Sequence, residues 1–132
     1  SISLILKFDK KYSEPVIVYA DEERIQQVLT NLIINSLKYG VGKGVTEVSI
    51  EMLKENKILL RVADNGEGID NEHLPRLFER FYRVDKTRNR NQGGSGHGLA
   101  IVKHIIEAHG EKIFVESKVQ VGSEFSFSLT LN

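Results

Sequence analysis

Apolar residues along this chain follow two rhythms, and the switches between them divide it into elements. Residues 3–8 read as a strand, and residues 16–20 as a short second one after the Ser-Glu-Pro break. From residue 22 to 39 the period lengthens to that of a helix. Ile25, Val28, Leu29, Leu32, Ile33 and Leu37 take one side of it, and Asp21 is placed as its N-cap with acidic residues in the first turn. The stretch YGVGKGV ends that helix. Alternation returns over residues 47–53 and 57–63, joined by the polar turn Lys54-Glu55-Asn56, which predicts a hairpin. A short helix is predicted over 71–78, with Pro75 near its first turn. Residues 85–98, DKTRNRNQGGSGHG, are polar, then basic, then glycine-rich, and predict a mobile loop. An amphipathic helix follows over 99–109, with Gly110 as its C′ residue, and strands over 112–116 and 123–131 flank a turn at Gly122. Helices on one side of a mostly antiparallel sheet make an α+β two-layer sandwich, with the strand order left open.

Composition narrows the picture without naming a chemistry. At 132 residues and 40% hydrophobic content, the chain is long enough for one domain with a real core. Its 18 basic and 18 acidic residues balance, which removes any global drive toward nucleic acid or an anionic membrane. Without cysteine, disulfides and thiolate metal sites are excluded. No apolar run approaches the roughly 20 residues of a membrane span, and no signal peptide is visible. The opening SISLILKF, with no initiator methionine, reads as the start of a piece cut from a longer protein.

Three segments carry chemistry. On the first helix Arg24, Gln27, Asn31, Asn35 and Lys38 form one polar stripe. An amphipathic helix needs only a solvated face, but two asparagines at i,i+4 are poor helix formers there. An amide oxygen can ligate Mg²⁺, which takes oxygen donors, and Lys38 can neutralise a phosphate one turn on. The second segment is ILLRVADNGEGID, where strand alternation through Leu60 and Val62 puts Asp64 at a strand end, facing the sheet's interior. Asp-Asn-Gly is ordinary turn chemistry. The chain beyond it turns helical, however, so no hairpin is closed. A carboxylate there is a strong acceptor for an exocyclic amine, and Gly66 and Gly68 allow backbone to approach a flat ring. The third, GGSGHGLAIVKHI, sets Gly94, Gly96 and Gly98 before a helix N-terminus, which suits a phosphate as well as it suits a flexible linker. No Walker A loop and no GxGxxG is present. His97, His104 and His109 have poor spacing for a shared zinc, and no Ser-His-Asp arrangement can be argued. The basic run Arg76, Arg80, Arg83, Lys86, Arg88 and Arg90 reads as a solvated loop beside the glycines, and nucleic-acid binding is a poor second reading.

Taken in order, these segments resemble the four boxes of bacterial sensor histidine kinases. NLIINSLKYG resembles the N box, ADNGEGI the G1 box, LFERFYRVD the F box and GGSGHGLAIVKHIIEAHG the G2 box, over about residues 21–127. The resemblance implies the catalytic and ATP-binding domain of a two-component kinase with the Bergerat fold, which DNA gyrase, Hsp90 and MutL share. It implies a mixed sheet of about five strands on about three helices, with ATP between the N-box helix and a mobile lid at about residues 82–98. Asn35 would ligate Mg²⁺ with Asn31 beside it, Lys38 would contact phosphate, and Tyr39 would pack near the adenine or ribose. Asp64 would accept the adenine amino hydrogen, with Gly66, Gly68 and Ile69 shaping the base pocket. Phe81 belongs to the lid-anchoring F box, Arg83 is a phosphate contact, and Gly94, Gly96, His97, Gly98 and Leu99 would surround the triphosphate.

The resemblance also implies partners: ATP, a separate dimerisation and phosphoacceptor domain, and indirectly a response regulator. Nucleic acid and direct membrane contact are not among them, and the placement is the cytoplasmic part of a sensor. Hydrolytic relatives carry a glutamate four residues before the metal asparagine. Here that position is Asn31, which cannot take a proton, so ATP hydrolysis is disfavoured. His97 stands where the family has an apolar residue, and Glu111 replaces the glycine after His-Gly, expected to affect only a surface turn. None of the four histidines lies in a phosphoacceptor context, so the chain alone is expected to bind ATP without phosphorylating itself. The alternatives are a non-catalytic nucleotide-binding module and a gyrase-like ATPase.

Overall fold

The two apolar rhythms become the two layers of one sandwich. The computed structural model describes residues 3–7, 16–39, 44–82 and 98–132. Strands β1 (Ser3–Lys7) and β2 (Val18–Tyr19) precede helix α1 (Glu22–Tyr39), and strands β3 (Val45–Met52) and β4 (Lys57–Asp64) follow it. Helix α2 (Gly98–Ala108) leads into β5 (Ile113–Lys118) and β6 (Gly122–Leu131). The strands form one mixed sheet in the order β1-β3-β4-β6-β2, with β5 also paired to β6. Only the β1–β3 pair is parallel among these. The described residues thus contain six strands, two α-helices and one 3₁₀ turn, where about five strands and three helices were expected.

Register turns the sequence alternation into rows across the sheet. Met52, Ile58 and Leu129 stand side by side, then Ile50, Leu60, Phe127 and Ile113, then Val48, Val62, Phe125 and Val115. Period two places all of them on one face, where α1 contributes Val28 and Leu32 and α2 contributes Val102, Ile105 and Ile106 to a common core. Burial of such side chains at about 25 cal/mol per Å² is the main force holding the layers together. On α1 the apolar side is as expected except at its end, where Leu37 remains exposed.

Helix ends follow local chemistry. Asp21 caps α1 as predicted, its Oδ1 accepting the Arg24 N–H at 3.1 Å. At the far end of α2, Gly110 has φ of 73°, its N–H bonds to the Glu107 carbonyl, and the Glu111 N–H returns to Ile106. That pair of bonds is a Schellman cap. The helix predicted over 71–78 is instead a 3₁₀ turn, Leu74–Arg76, within a chain of i→i+3 bonds from His73 N–H to Tyr82 N–H. Pro75 lacks an N–H, which suits the tighter turn, and Phe78 just beyond it packs edge-on against Phe125 of the sheet.

Candidate functional site

Asp64 is where the apolar rows stop. It is the last residue of β4, it faces inward, and its neighbours across the sheet are Thr46 on β3 and Ser123 on β6. The side chain is half-buried, and its Oδ1 accepts the Gly66 N–H at 2.9 Å. Burial pushes the carboxyl above its ordinary value, against hydrogen bonds from the Gly66 N–H, the Ser123 N–H and the Ser36 hydroxyl, which pull it down. The period-two reading of its position is correct.

The loop after Asp64 is fastened on two sides. Asn65 extends the β3–β4 ladder: its Oδ1 accepts the Val45 N–H at 2.7 Å, and its own N–H reaches the Val45 carbonyl at 3.3 Å. On the other side, the Ile69 N–H donates to Ser117 Oγ at 2.7 Å, and the Gln120 N–H donates to the Glu67 carbonyl at 2.7 Å. Gly68 has φ of 75°, and a Cβ there would meet the Lys118 carbonyl oxygen at 2.1 Å. The close approach that Gly68 permits is therefore to the β5–β6 turn. Gly66 is buried beside the carboxylate, and the Ile69 side chain lies in the core.

The polar stripe of α1 runs along the flank facing α2. Asn31 reaches the first residue of α2, its Nδ2 lying 3.5 Å from the Gly98 carbonyl, while Asn35 is half-buried one turn on. Lys38 and Tyr39 occupy the last turn of the helix, and their side chains lie outside the described residues, as do Arg83, Gly94, Gly96 and His97. Gly98 opens α2, and Leu99 packs against the core. Towards the start of α1 the stripe borders a cleft of about 930 Å³ with Arg24 and Gln27 on one wall and Ile101 and His104 of α2 on the other. Neither Asp64 nor Asn35 lines it. His104 is exposed there. His109 joins the two helices: its Nδ1–H donates to the Ile105 carbonyl at 2.8 Å, and its Nε2 accepts the Asp21 N–H at 3.0 Å. A carbonyl on one nitrogen and an N–H on the other require the Nδ1–H tautomer.

In the F-box segment the ring that enters the core is that of Phe78, edge-on to Phe125 at 6.2 Å. Phe81 is 62% exposed, has φ of 69°, and carries the Arg80 guanidinium 5.3 Å from its ring centre. Tyr82 closes the segment with a hydrogen bond to His73 Nδ1 and the Arg76 guanidinium over its ring.

Glu111 departs from its expected place in a surface turn, because it is buried on the outer face of the sheet. Lys57 Nζ lies 2.6 Å from Oε1, Ser128 Oγ donates to Oε1 at 2.8 Å, and Thr130 Oγ1 donates to Oε2 at 2.9 Å. Burial alone would raise its carboxyl, but these hydrogen bonds and the Lys57 charge hold it below the ordinary value. Sequence reasoning missed this residue, and also Ser36, Thr46, Ser117 and Ser123 around Asp64. For the serines and Thr46 a signal existed, since they interrupt the apolar pattern of their own strand or helix; for Glu111 the signal was its departure from the glycine after His-Gly, and nothing local pointed to Lys57.

Comparison with known proteins assigns this arrangement. Residues 20–132 match the family described as histidine kinase-, DNA gyrase B-, and HSP90-like ATPase. The sensor histidine kinase YkoH of Bacillus subtilis is 46% identical over 123 residues, covering 91% of this chain and 25% of that protein. The sensor histidine kinase WalK of the same organism is 42% identical over 113 residues, covering 85% and 18%. The chain thus spans about a quarter or less of the curated relatives it matches. Among solved structures, a mycobacterial sensor histidine kinase, MprB, superposes with a TM-score of 0.84 at 25% identity, covering 99% of this chain and 84% of that one. Full-length ShkA in complex with AMPPNP gives 0.83 at 27% identity, covering 99% and 26%. The chain belongs to the histidine kinase-, DNA gyrase B- and HSP90-like ATPase family, and within it resembles the catalytic domains of sensor histidine kinases.

Proposed function

We propose that this chain binds ATP with Mg²⁺ and supplies the γ-phosphoryl group to a histidine on a separate dimerisation domain of a two-component sensor. The observation that carries the reading is Asp64: a half-buried carboxylate on the inner face at a strand end, with a buried glycine beside it. It meets donors on its protein side, so what it offers a ligand is an acceptor, matched to the exocyclic amine of adenine. Asn31 and Asn35 lie on the α1 flank next to the start of α2, where the triphosphate would leave the base. Asn31 and Asn35 offer amide oxygens, a donor type that suits Mg²⁺ when nucleotide phosphates and water complete its shell. Asn35 would be its protein ligand, and the ion would neutralise charge on the phosphate oxygens.

The transfer breaks the bond between the γ-phosphorus and the β–γ bridging oxygen and forms a phosphorus–nitrogen bond on the acceptor imidazole, leaving ADP. Little covalent chemistry falls to the domain itself, which positions the nucleotide and neutralises its charge. Lys38, Tyr39, Arg83 and the glycines Gly94, Gly96 and Gly98 are proposed to contact the nucleotide, with His97 and Leu99 beside them. Phe81 is proposed to support the lid. The amide of Asn31 cannot activate water, which supports a kinase over an ATPase. The domain acts on the cytoplasmic side, and a response regulator receives the phosphoryl group from the acceptor histidine.

Calorimetric titration with ATP, for the wild type and Asp64→Asn, tests the site. The variant is expected to lose at least about tenfold in affinity, as loss of a hydrogen bond to a charged group implies. Addition of ATP, Mg²⁺ and a separate dimerisation domain should then yield acid-labile phosphohistidine. Binding without transfer would favour a nucleotide-sensing module, and equal affinity of the two proteins would refute the role of Asp64.

A further inference from the structure

The loop that follows Asp64 ends on a single hydroxyl group. Ser117 shares the inner face with Ile113 and Val115, and it stands one strand beyond the Ser123 that neighbours Asp64. Its Oγ accepts the Ile69 N–H at 2.7 Å, donates to the Gly122 carbonyl at 3.0 Å and lies 2.7 Å from Ser123 Oγ. A hydroxyl carries one proton and two lone pairs. The Ile69 N–H only donates and the Gly122 carbonyl only accepts, so one arrangement satisfies all three contacts together. Ser117 gives its proton to Gly122, and Ser123 gives its proton to Ser117. The donor and both acceptor sites of Ser117 are then in use.

These partners enclose the strand end at Asp64. Ile69 closes the loop that Asp64 opens, and Gly122 lies so near that a Cβ on it would be 1.9 Å from the Asp64 carbonyl oxygen. Between them, the Gln120 N–H to Glu67 carbonyl bond and the close pass of Gly68 over Lys118 are contacts of backbone with backbone. Ser117 adds a side chain, short and carried on a strand paired with β6 from Ile113 to Lys118. A group so fixed holds what rests on it closely, as a functional site requires of its supporting residues.

We propose that Ser117 is a positioning residue for the nucleotide: by fastening Ile69 to β5 it sets how closely the Gly66–Gly68 backbone lies against the base. This rests on the reading above that the base lies at Asp64. Ser117 acts through Ile69, not on the nucleotide. A loop ordered before the base arrives has less conformational freedom to lose on binding. Without the hydroxyl the Ile69 N–H has no partner on β5, and this end of the loop opens locally. The other end stays fastened, because Asn65 holds Val45 on β3.

Amide exchange and calorimetric titration with ATP and Mg²⁺, on the wild type, Ser117→Ala, Ser117→Cys and Ser117→Thr, test this. Alanine removes the hydroxyl, cysteine keeps a side chain of similar shape that accepts only weakly, and threonine keeps the hydroxyl. In the alanine and cysteine variants without nucleotide, the Ile69 N–H should exchange at least about tenfold faster, with the Val45 N–H unchanged. ATP affinity should fall about tenfold in the same two variants, and threonine should hold both readings near the wild type. The cysteine variant carries the test if alanine prevents folding. Faster exchange at both amides would mark a lesion of the whole fold and overturn the proposal, as would unchanged exchange at Ile69. Threonine behaving as alanine would overturn the hydroxyl as the cause. If Asp64→Asn loses ATP affinity while the Ser117 variants keep it, the role of Ser117 alone falls. If Asp64→Asn keeps it too, the reading of the site falls with it.

Discussion

Asp64 and Glu111 are two carboxylates set among hydroxyl groups on opposite faces of one sheet, and their environments drive them in opposite directions. Glu111 has Lys57 and two hydroxyls converging on it, and its carboxyl lies below the ordinary value of 4.5. Asp64 lies half-buried with backbone N–H groups and the Ser36 hydroxyl around it and no ion pair among the described residues, and its carboxyl lies above the ordinary value of 3.8. In the first case the charge is answered within the protein, and the group ties the end of α2 to β4 and β6. In the second, burial outweighs the donors and acceptor capacity is left over. Surplus acceptor capacity at a strand end is what a ligand with a donor can use. The difference separates a carboxylate that holds the fold from the one proposed to serve the site.

Substitutions can break this contrast from either side. The largest effect should come from Gly122→Ala, at the sheet end that holds Asp64. Its φ is 143°, and a Cβ there would lie 1.9 Å from the Asp64 carbonyl oxygen, so a stability loss of about 3 kcal/mol or more is expected in urea unfolding. Glu111→Gln should cost about 2 kcal/mol in the same assay. That is less than the roughly 3–5 kcal/mol of a broken fully buried pair, because the Lys57 side chain is 37% exposed and can recover water. Asp64→Asn should stay within about 1 kcal/mol of the wild type, since it removes a desolvated charge along with its hydrogen bonds, even as ATP affinity falls.

Acid sharpens the contrast through opposite signs. Glu111 has a depressed folded pKa, so its stabilisation is complete above 4.5 and is lost as pH falls through the folded value. The gap between wild type and Glu111→Gln should therefore close on acidification below 4.5. Asp64 has a raised folded pKa, so its cost is complete at neutral pH and is relieved as pH falls through a value above 3.8. Any advantage of Asp64→Asn should shrink over that window. Unfolding free energies measured from pH 7 downward on the three proteins read both trends. The smallest effect, about 0.5 kcal/mol or less, is expected for Glu51→Gln. Glu51 is half exposed, and its partner Arg61 keeps Glu124 at 3.3 Å.

Local pattern determined much of this protein. The bounds of α1, the hairpin of β3 and β4, the Asp21 cap and the Gly110 cap are written in short stretches, because caps, turns and apolar periods act over a few residues. The inward direction of Asp64 came from the same source, through the period of two along β4. Strand order did not, and with it went everything that depends on register. Thr46, Asp64, Ser123 and Ser117 become one row only because β3, β4, β6 and β5 lie side by side in that order. Lys57 meets Glu111 across 54 positions, and no local propensity links the two. The tertiary structure alone decided which polar residues share a carboxylate. A side chain's face follows from its own strand, whereas its neighbours follow from pairings that the whole sheet must satisfy at once.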